Sequence, residues 1–391
     1  MSSSLRIVVA GLVARHPLGG PAWDYLQYVL GLARLGHDVV YHEDTWCWPF
    51  DPVANTMTDD SSYPAGFLAR FFDEHAPDLA ERWHYRHLHE TSHGMSFESF
   101  ERFAAGADLF LNVSGATFLP EALPDRAVTV FVDTDPGYNQ IVLANRPGWS
   151  ENVDRWAELV RSHDRHVTYG ERIGAGATIP TVGIDWRPTR MPVVVDLWDG
   201  GSWRGREGRW STVMTWSAFP GPLEHDGVGY HDKGHNFEAI ADLPGRLGHR
   251  PRLALGGIGA PTERLAALGW DVVDGPTATL DPAAYRRFIW DSRGELSCAK
   301  HVYSATGSGW FSCRSACYLA AGRPVVVQRT GAPVPGDGFG LRYFDDAESA
   351  VDAVAEIDAD LDAHRTGARQ LARDWFGHDR VLPALLDGVM R

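Results

Sequence analysis

SGWFSCRSACYLAAGRPVVVQRTG (residues 308–331) runs from small polar residues into a helical pattern, through Gly322-Arg323-Pro324, and on into a β-branched stretch. A helix that hands over to a buried strand across so short a turn is one step of an α/β sheet. The helix start leaves backbone N–H groups without intrahelical partners, and Ser308, Gly309, Ser312 and Ser315 gather there with Arg314 as a local positive charge. Such a terminus suits a diphosphate. The same residues would cap and end a helix in any α/β protein, so this stretch alone leaves the two uses level.

Upstream, STVMTW (211–216) reads as a strand, followed by a Gly/Pro-rich loop and a helix opening at Lys233-Gly234. Then come RLALGG (252–257), the helix PTERLAALG (261–269), WDVVD (270–274), the helix DPAAYRRFIWDS (281–292) and GELSCA (294–299), an alternation of strands and helices. The N-terminal half repeats the plan: LRIVVAG (5–11), the helix PAWDYLQYVLGLARLG (21–36), DVVYHED (38–44), DLFLNVSG (108–115), AVTVFVD (127–133) and HVTYG (166–170). The expected class is α/β, with two doubly wound, Rossmann-like domains facing a central cleft, and ligands beyond the carboxyl ends of the strands. The expected boundaries are an N-terminal domain over 1–185, a Gly/Pro/Arg/Trp-rich linker over 186–209, a second domain over 210–370, and a C-terminal helix over 371–391 that crosses back.

Composition narrows the partners. The chain has 391 residues and a formal net charge of -15. An acidic protein without a basic run is a poor nucleic-acid binder, so any anionic ligand must be held locally. No apolar run reaches the length that crosses a bilayer, and the N-terminus has no signal-peptide pattern. Four cysteines without a framework or CxxC pairs point to a reducing cytoplasm. Lysine occurs only at Lys233 and Lys300, so 34 of the 36 basic residues are arginine. A compact ammonium reaching phosphate oxygens is one job at which arginine is no equal. Lys233 opens a helix, where the macrodipole disfavours a cation unless an anion sits beside it.

Lys-Gly after the first strand of the second domain, together with ACYLAAGRPVVVQRTG, resembles the donor half of the GT-B glycosyltransferases. Gly19-Gly20 after the first strand, Leu35-Gly36-His37 before the second, and the closing LRYFDDAESAVDAVAEI (341–357) are similar to that family as well. The resemblance implies a two-domain GT-B fold that takes a nucleotide diphosphate sugar as co-substrate, with no other cofactor and no essential metal. It implies donor binding by Gly19, Gly20, Lys233, Ser308, Gly309, Ser312, Arg314 and Ser315. The chain departs from the family in two places. Cys317 stands where many retaining members carry a ribose-binding glutamate, and Thr215-Trp216 where they carry an arginine. Lys300 or Arg314 is expected to replace the lost charge, and Trp216 to stack on the base or sugar.

On the acceptor side, His16 lies where the inverting members place a general base, and neutral imidazole suits that task near pH 7. Asp133 and Asp135, at the end of a strand, are the expected carboxylate partners. Asp133-Thr134-Asp135 also resembles a manganese motif of another fold, one with a single nucleotide-binding domain. HYRHLH (84–89) reads as packing rather than a ligand set, while Trp46-Cys47-Trp48 and the aromatics in 63–103 suit either an acceptor pocket or a core. The expected function is transfer of a hexose or deoxyhexose to a hydroxyl of a small molecule, in keeping with antibiotic or other secondary-metabolite biosynthesis. The rivals are a nucleotide-sugar epimerase of the same architecture and a non-catalytic protein keeping the fold. A dehydrogenase is disfavoured because VVAGLVARHPLGG (8–20) lacks GxGxxG. Oligomeric state is left open, a homodimer being one option.

Overall fold

The computed structural model describes residues 4–115, 117–145, 150–199, 208–218 and 221–391. Its first half contains strands β1 (Arg6–Ala10), β2 (Asp38–Thr45), β3 (Phe50–Asp51), β4 (Thr56–Met57), β5 (Trp83–His87), β6 (Thr91–Gly94), β7 (Leu109–Val113), β8 (Val128–Asp133), β9 (Arg165–Thr168) and β10 (Trp186–Pro188). Helices α1 (Gly19–Arg34), α2 (Ser62–His75), α3 (Phe97–Ala104), α4 (Tyr138–Asn145) and α5 (Glu151–Arg161) connect them. Eight strands form one sheet in the order β10-β9-β8-β7-β1-β2-β5-β6. All pairs are parallel except β5 with β6. Ile7, Val8, Val9 and Ala10 are wholly buried, because a central parallel strand is covered on both faces.

The second half contains β11 (Trp210–Thr215), the hairpin β12 (Leu223–His225) and β13 (Val228–Tyr230), β14 (Arg252–Gly256), β15 (Asp271–Asp274), β16 (Gly294–Ser297), β17 (Val325–Gln328) and β18 (Leu341–Phe344). Its helices are α6 (Lys233–Glu238), α7 (Leu243–Leu247), α8 (Thr262–Ala267), α9 (Gly275–Ala278), α10 (Pro282–Trp290), α11 (His301–Ala305), α12 (Cys313–Ala320), α13 (Ala347–Ala359), α14 (Leu361–Phe376) and α15 (His378–Val389). The second sheet is ordered β15-β14-β11-β16-β17-β18, and its pairs are parallel. Each sheet begins in its middle, at β1 or β11, and builds outward first one way and then the other. The carboxyl ends of these two strands therefore mark the switch points where doubly wound sheets hold ligands.

Two boundaries differ from expectation. Trp186–Pro188, assigned to the linker, adds an edge strand to the first sheet, anchored by the buried Trp186. The return crossing falls later than 371: α14 packs on α12, whereas α15 packs on α1, with the bridge between Val193 and Gly377 at the crossing. Residues 200–207 of the expected linker lie outside the described residues.

Candidate active site in the interdomain cleft

The loop between β1 and α1 is held from beneath. Glu43, wholly buried on β2, accepts hydrogen bonds from the Ala14 and Arg15 amides at 2.7 Å each and from the Tyr41 hydroxyl at 2.8 Å. Burial pushes its carboxyl up to about 7 against those donors. His16 follows on this loop, half-buried, and among the described residues its imidazole has no hydrogen-bonding partner. Burial, then Arg15, lower its pKa to about 4, so the ring is neutral at physiological pH.

Lys233 faces the cleft from the other domain. Burial, followed by the neighbouring Arg314, lowers its pKa to about 7. Among the described residues no carboxylate pairs with its ammonium. Gly234 lets the Trp216 ring approach, since a Cβ there would lie 2.5 Å from it. Trp216, expected to stack on a base or sugar, thus packs on α6 and edge-on to Phe237.

Arg314 is tied into the domain. Its Nε donates to Glu295 at 2.5 Å, Nη1 to the Val213 carbonyl at 2.7 Å and Nη2 to Ser297 at 2.7 Å. The guanidinium is thereby positioned but mostly committed, and it contributes field rather than free donors. At the start of α12, among the described residues, the Ser312 hydroxyl caps no backbone amide and the wholly buried Ser315 hydroxyl has no partner. Ser308 is also wholly buried, and its hydroxyl accepts from the Trp310 amide at 3.2 Å. Gly309 has φ +79, and a Cβ would lie 2.9 Å from the Arg172 backbone nitrogen. This glycine lets the two domains touch.

The N-terminal domain answers with Asp24 on α1. Burial pushes its carboxyl up to about 7 despite the opposing pull of Arg314 and Lys233. A desolvated carboxyl opposite two cations of the other domain was not recognised in the sequence. Its signal in the sequence is an acid inside the mostly apolar helix α1.

Several expected roles take a different form here. Gly19 and Gly20, expected to cradle the diphosphate, pack against the second domain. The Gly19 amide donates to Thr279 O at 3.0 Å, and a Gly19 Cβ would lie 2.3 Å from the Asp281 carbonyl oxygen. Asp133 and Asp135, expected to orient His16, bind elsewhere. Asp133 is wholly buried and accepts from Thr168 at 2.6 Å and from Asn139 and Gln140 at 2.7 Å each, which holds the turn after β8. Asp135 meets Lys300 at 2.6 Å and also the Tyr303 hydroxyl. Lys300, expected to supply donor-site charge, therefore forms an ion pair across the cleft. The stacked rings of His231 and His235, 4.6 Å apart, with His301 4.4 Å from His235, were also unanticipated beside Lys233. Among the described residues no group of three or more His, Cys, Asp or Glu is arranged to hold a metal ion, and no helix is long and apolar enough to cross a membrane.

No protein-family profile matches the sequence, and no curated protein matches it. Solved structures do. AviGT4, a glycosyltransferase involved in avilamycin A biosynthesis, is 14% identical, with a TM-score of 0.51 and coverage of 99% of this chain and 97% of that one. An α-glucosyltransferase in complex with UDP and a 13-mer DNA is 12% identical, with a TM-score of 0.57 and full coverage of both chains. HepE of Anabaena, in complex with UDP and glucose, is 12% identical, with a TM-score of 0.54 and 99% coverage of both. Two doubly wound sheets meeting at their switch points, and this likeness over whole chains, establish that the protein has the GT-B fold of glycosyltransferases.

Proposed function

We propose that the protein is a glycosyltransferase that moves a hexose or deoxyhexose from a nucleotide diphosphate sugar to a hydroxyl of a small-molecule acceptor. The observation that carries this reading is the Lys233 ammonium at the cleft between the domains, which among the described residues forms an ion pair with no carboxylate. The start of α12, with Ser312, adds amide and hydroxyl donors for the diphosphate. Stabilising the charge that grows on the leaving diphosphate is then the main catalytic contribution. His16, neutral at pH 7, is the candidate to accept the acceptor's proton. That the α-glucosyltransferase and HepE were crystallised with UDP supports a nucleoside diphosphate as the leaving group.

The test is a thermal-shift screen of uridine, thymidine, guanosine and adenosine diphosphates followed by calorimetry of two variants. Lys233→Ala should weaken the selected diphosphate by about 1.5–3 kcal/mol, the worth of a charge-assisted hydrogen bond. His16→Ala should leave that affinity intact and lower turnover. Equal diphosphate affinity in wild type and Lys233→Ala refutes the donor assignment.

A further inference from the structure

Where the turn between α12 and β17 meets α14, four guanidiniums converge on one cavity of about 370 Å³: those of Arg323, Arg365, Arg369 and Arg373. Among the described residues no carboxylate lines it. The chain as a whole carries a net charge of -15, so four like positive charges around one hollow run against its composition.

The fold gathers them from two elements. Arg365, Arg369 and Arg373 recur every fourth residue of α14 and so share one face of the helix, where like charges at that spacing weaken it. Arg323 comes from the turn, which can lie against α14 because residue 322 is glycine: its φ is +68, and a Cβ there would lie 2.8 Å from Arg369 Nε. Arg323 is 4% exposed. Its Nη2 donates to the Trp290 carbonyl, and its Nε is buried with no partner among the described residues. Burial, then Arg369, lower its pKa to about 10, and burial, then Arg323, lower that of Arg365 to about 9. Both remain charged at pH 7, so no lost proton relieves the repulsion. The acids nearby stand at the edge. Asp362 Oδ1 lies 3.8 Å from Arg365 Nη1 and Asp199 Oδ1 lies 3.6 Å from Arg369 Nε, both beyond hydrogen-bond length and both on well-exposed side chains.

We propose that this cavity binds a phosphate dianion, either free phosphate or the phosphoryl group of a small phosphomonoester. Guanidinium forks match phosphate oxygens, and one tetrahedral dianion accepts from several of them at once, which a carboxylate with two oxygens and one charge does not. The volume sits near the lower end of small-molecule sites, enough for a phosphoryl group and a few carbons. Arg323 precedes β17, so the cavity lies at the amino end of the second sheet, on the opposite edge from the Lys233 cleft. It is thus a second anion site, and it stands whether or not the glycosyltransferase reading does. An anion on Arg369 competes with Asp199, which belongs to the described part of the linker, and this ties occupancy to the segment joining the two domains.

The experiment is calorimetry of the full chain with inorganic phosphate at constant ionic strength, with glycerol 3-phosphate as the phosphomonoester and acetate as a monoanionic comparator. The wild type should bind phosphate and not acetate. Arg369→Gln and Arg373→Gln, both exposed positions, should each weaken phosphate binding about tenfold, Asp199→Asn should tighten it, and Lys233→Ala should leave it unchanged. Tighter binding of glycerol 3-phosphate than of phosphate sustains the site with a phosphomonoester as its occupant, and weaker binding sustains it with free phosphate. In phosphate-free buffer the two arginine variants should melt no lower than the wild type, because each removes a like charge from a crowded face. Absence of phosphate binding to the wild type, equal affinity in both arginine variants, or loss of binding in Lys233→Ala alone overturns the proposal. So does a clear drop in melting temperature in both variants without phosphate, which would make the arginines props of the fold.

Discussion

Asp24 on α1 lies within electrostatic reach of Lys233 across the cleft, and the pKa values of both come to about 7, one raised from 3.8 and the other lowered from 10.5, each chiefly by burial. Raising the pH through that value ionises Asp24 and neutralises Lys233. Both steps subtract positive charge from the place where a diphosphate would bind. Nucleoside diphosphate affinity should therefore fall between about pH 6 and pH 8, and Asp24→Asn should flatten part of that fall; calorimetry across the interval decides it. The stability consequence has a definite sign. A carboxyl whose folded pKa lies above its unfolded value contributes stability at low pH that is lost as pH rises from about 4 to about 7. Asp24→Asn should then melt higher than the parent at pH 8 and no higher at pH 4. A constant difference at both would show that the carboxyl is not desolvated.

The segment leading into α12 works as an element because of where its glycines lie. Gly309 has a left-handed backbone and also touches Arg172, whose Cγ and backbone nitrogen are each 2.9 Å from the position of a Cβ. Backbone cannot step aside as a flexible side chain can. Gly248, at the end of α7, is also left-handed at φ +69 but has open space around it. Gly248→Ala should cost about 1 kcal/mol for conformation alone, and Gly309→Ala about 2–3 kcal/mol for conformation plus displaced backbone. Thermal melts of the two variants test the difference, and equal losses would mean that the Arg172 contact yields freely. Strain at Gly309 would also shift the start of α12 relative to the first domain, so diphosphate affinity should fall in that variant and not in Gly248→Ala.

Across the whole molecule, one side chain joins three parts. Gln27 of α1 is wholly buried; its Oε1 accepts from the Val194 amide at 2.8 Å and from Trp198 Nε1 at 3.4 Å, and its Nε2 reaches Cys317 Sγ at 3.7 Å. The first domain, the described part of the linker and the second domain meet in that amide. Trp23, one turn earlier, adds a hydrogen bond of 3.0 Å to Pro282 O. Gln27→Leu keeps the volume and strands the Val194 and Trp198 donors, so unfolding free energy should fall by about 1–3 kcal/mol in chemical denaturation. The Asp135–Lys300 pair closes the opposite side of the cleft, but its side chains are 32% and 21% exposed, so it matters more to domain placement than to stability.

The α/β class and the two-domain plan were legible in particular stretches. LRIVVAG carries the β-branched run of a buried parallel strand, and GRPVVVQ carries the turn and strand that follow α12. Local dihedral preference and burial periodicity are written in neighbouring residues, and so are readable along the chain. The scarcity of lysine marks Lys233 in the sequence itself. What the tertiary structure alone decided were the partners. Asp135 and Lys300 are 165 positions apart in sequence, and Asp24 has its cations on another domain. Gly19 serves a contact with Asp281, and Arg323 meets the arginines of α14. Charge state, hydrogen-bond commitment and close approach are set by distance through space and by excluded water, and neither is encoded in the spacing of residues along one element.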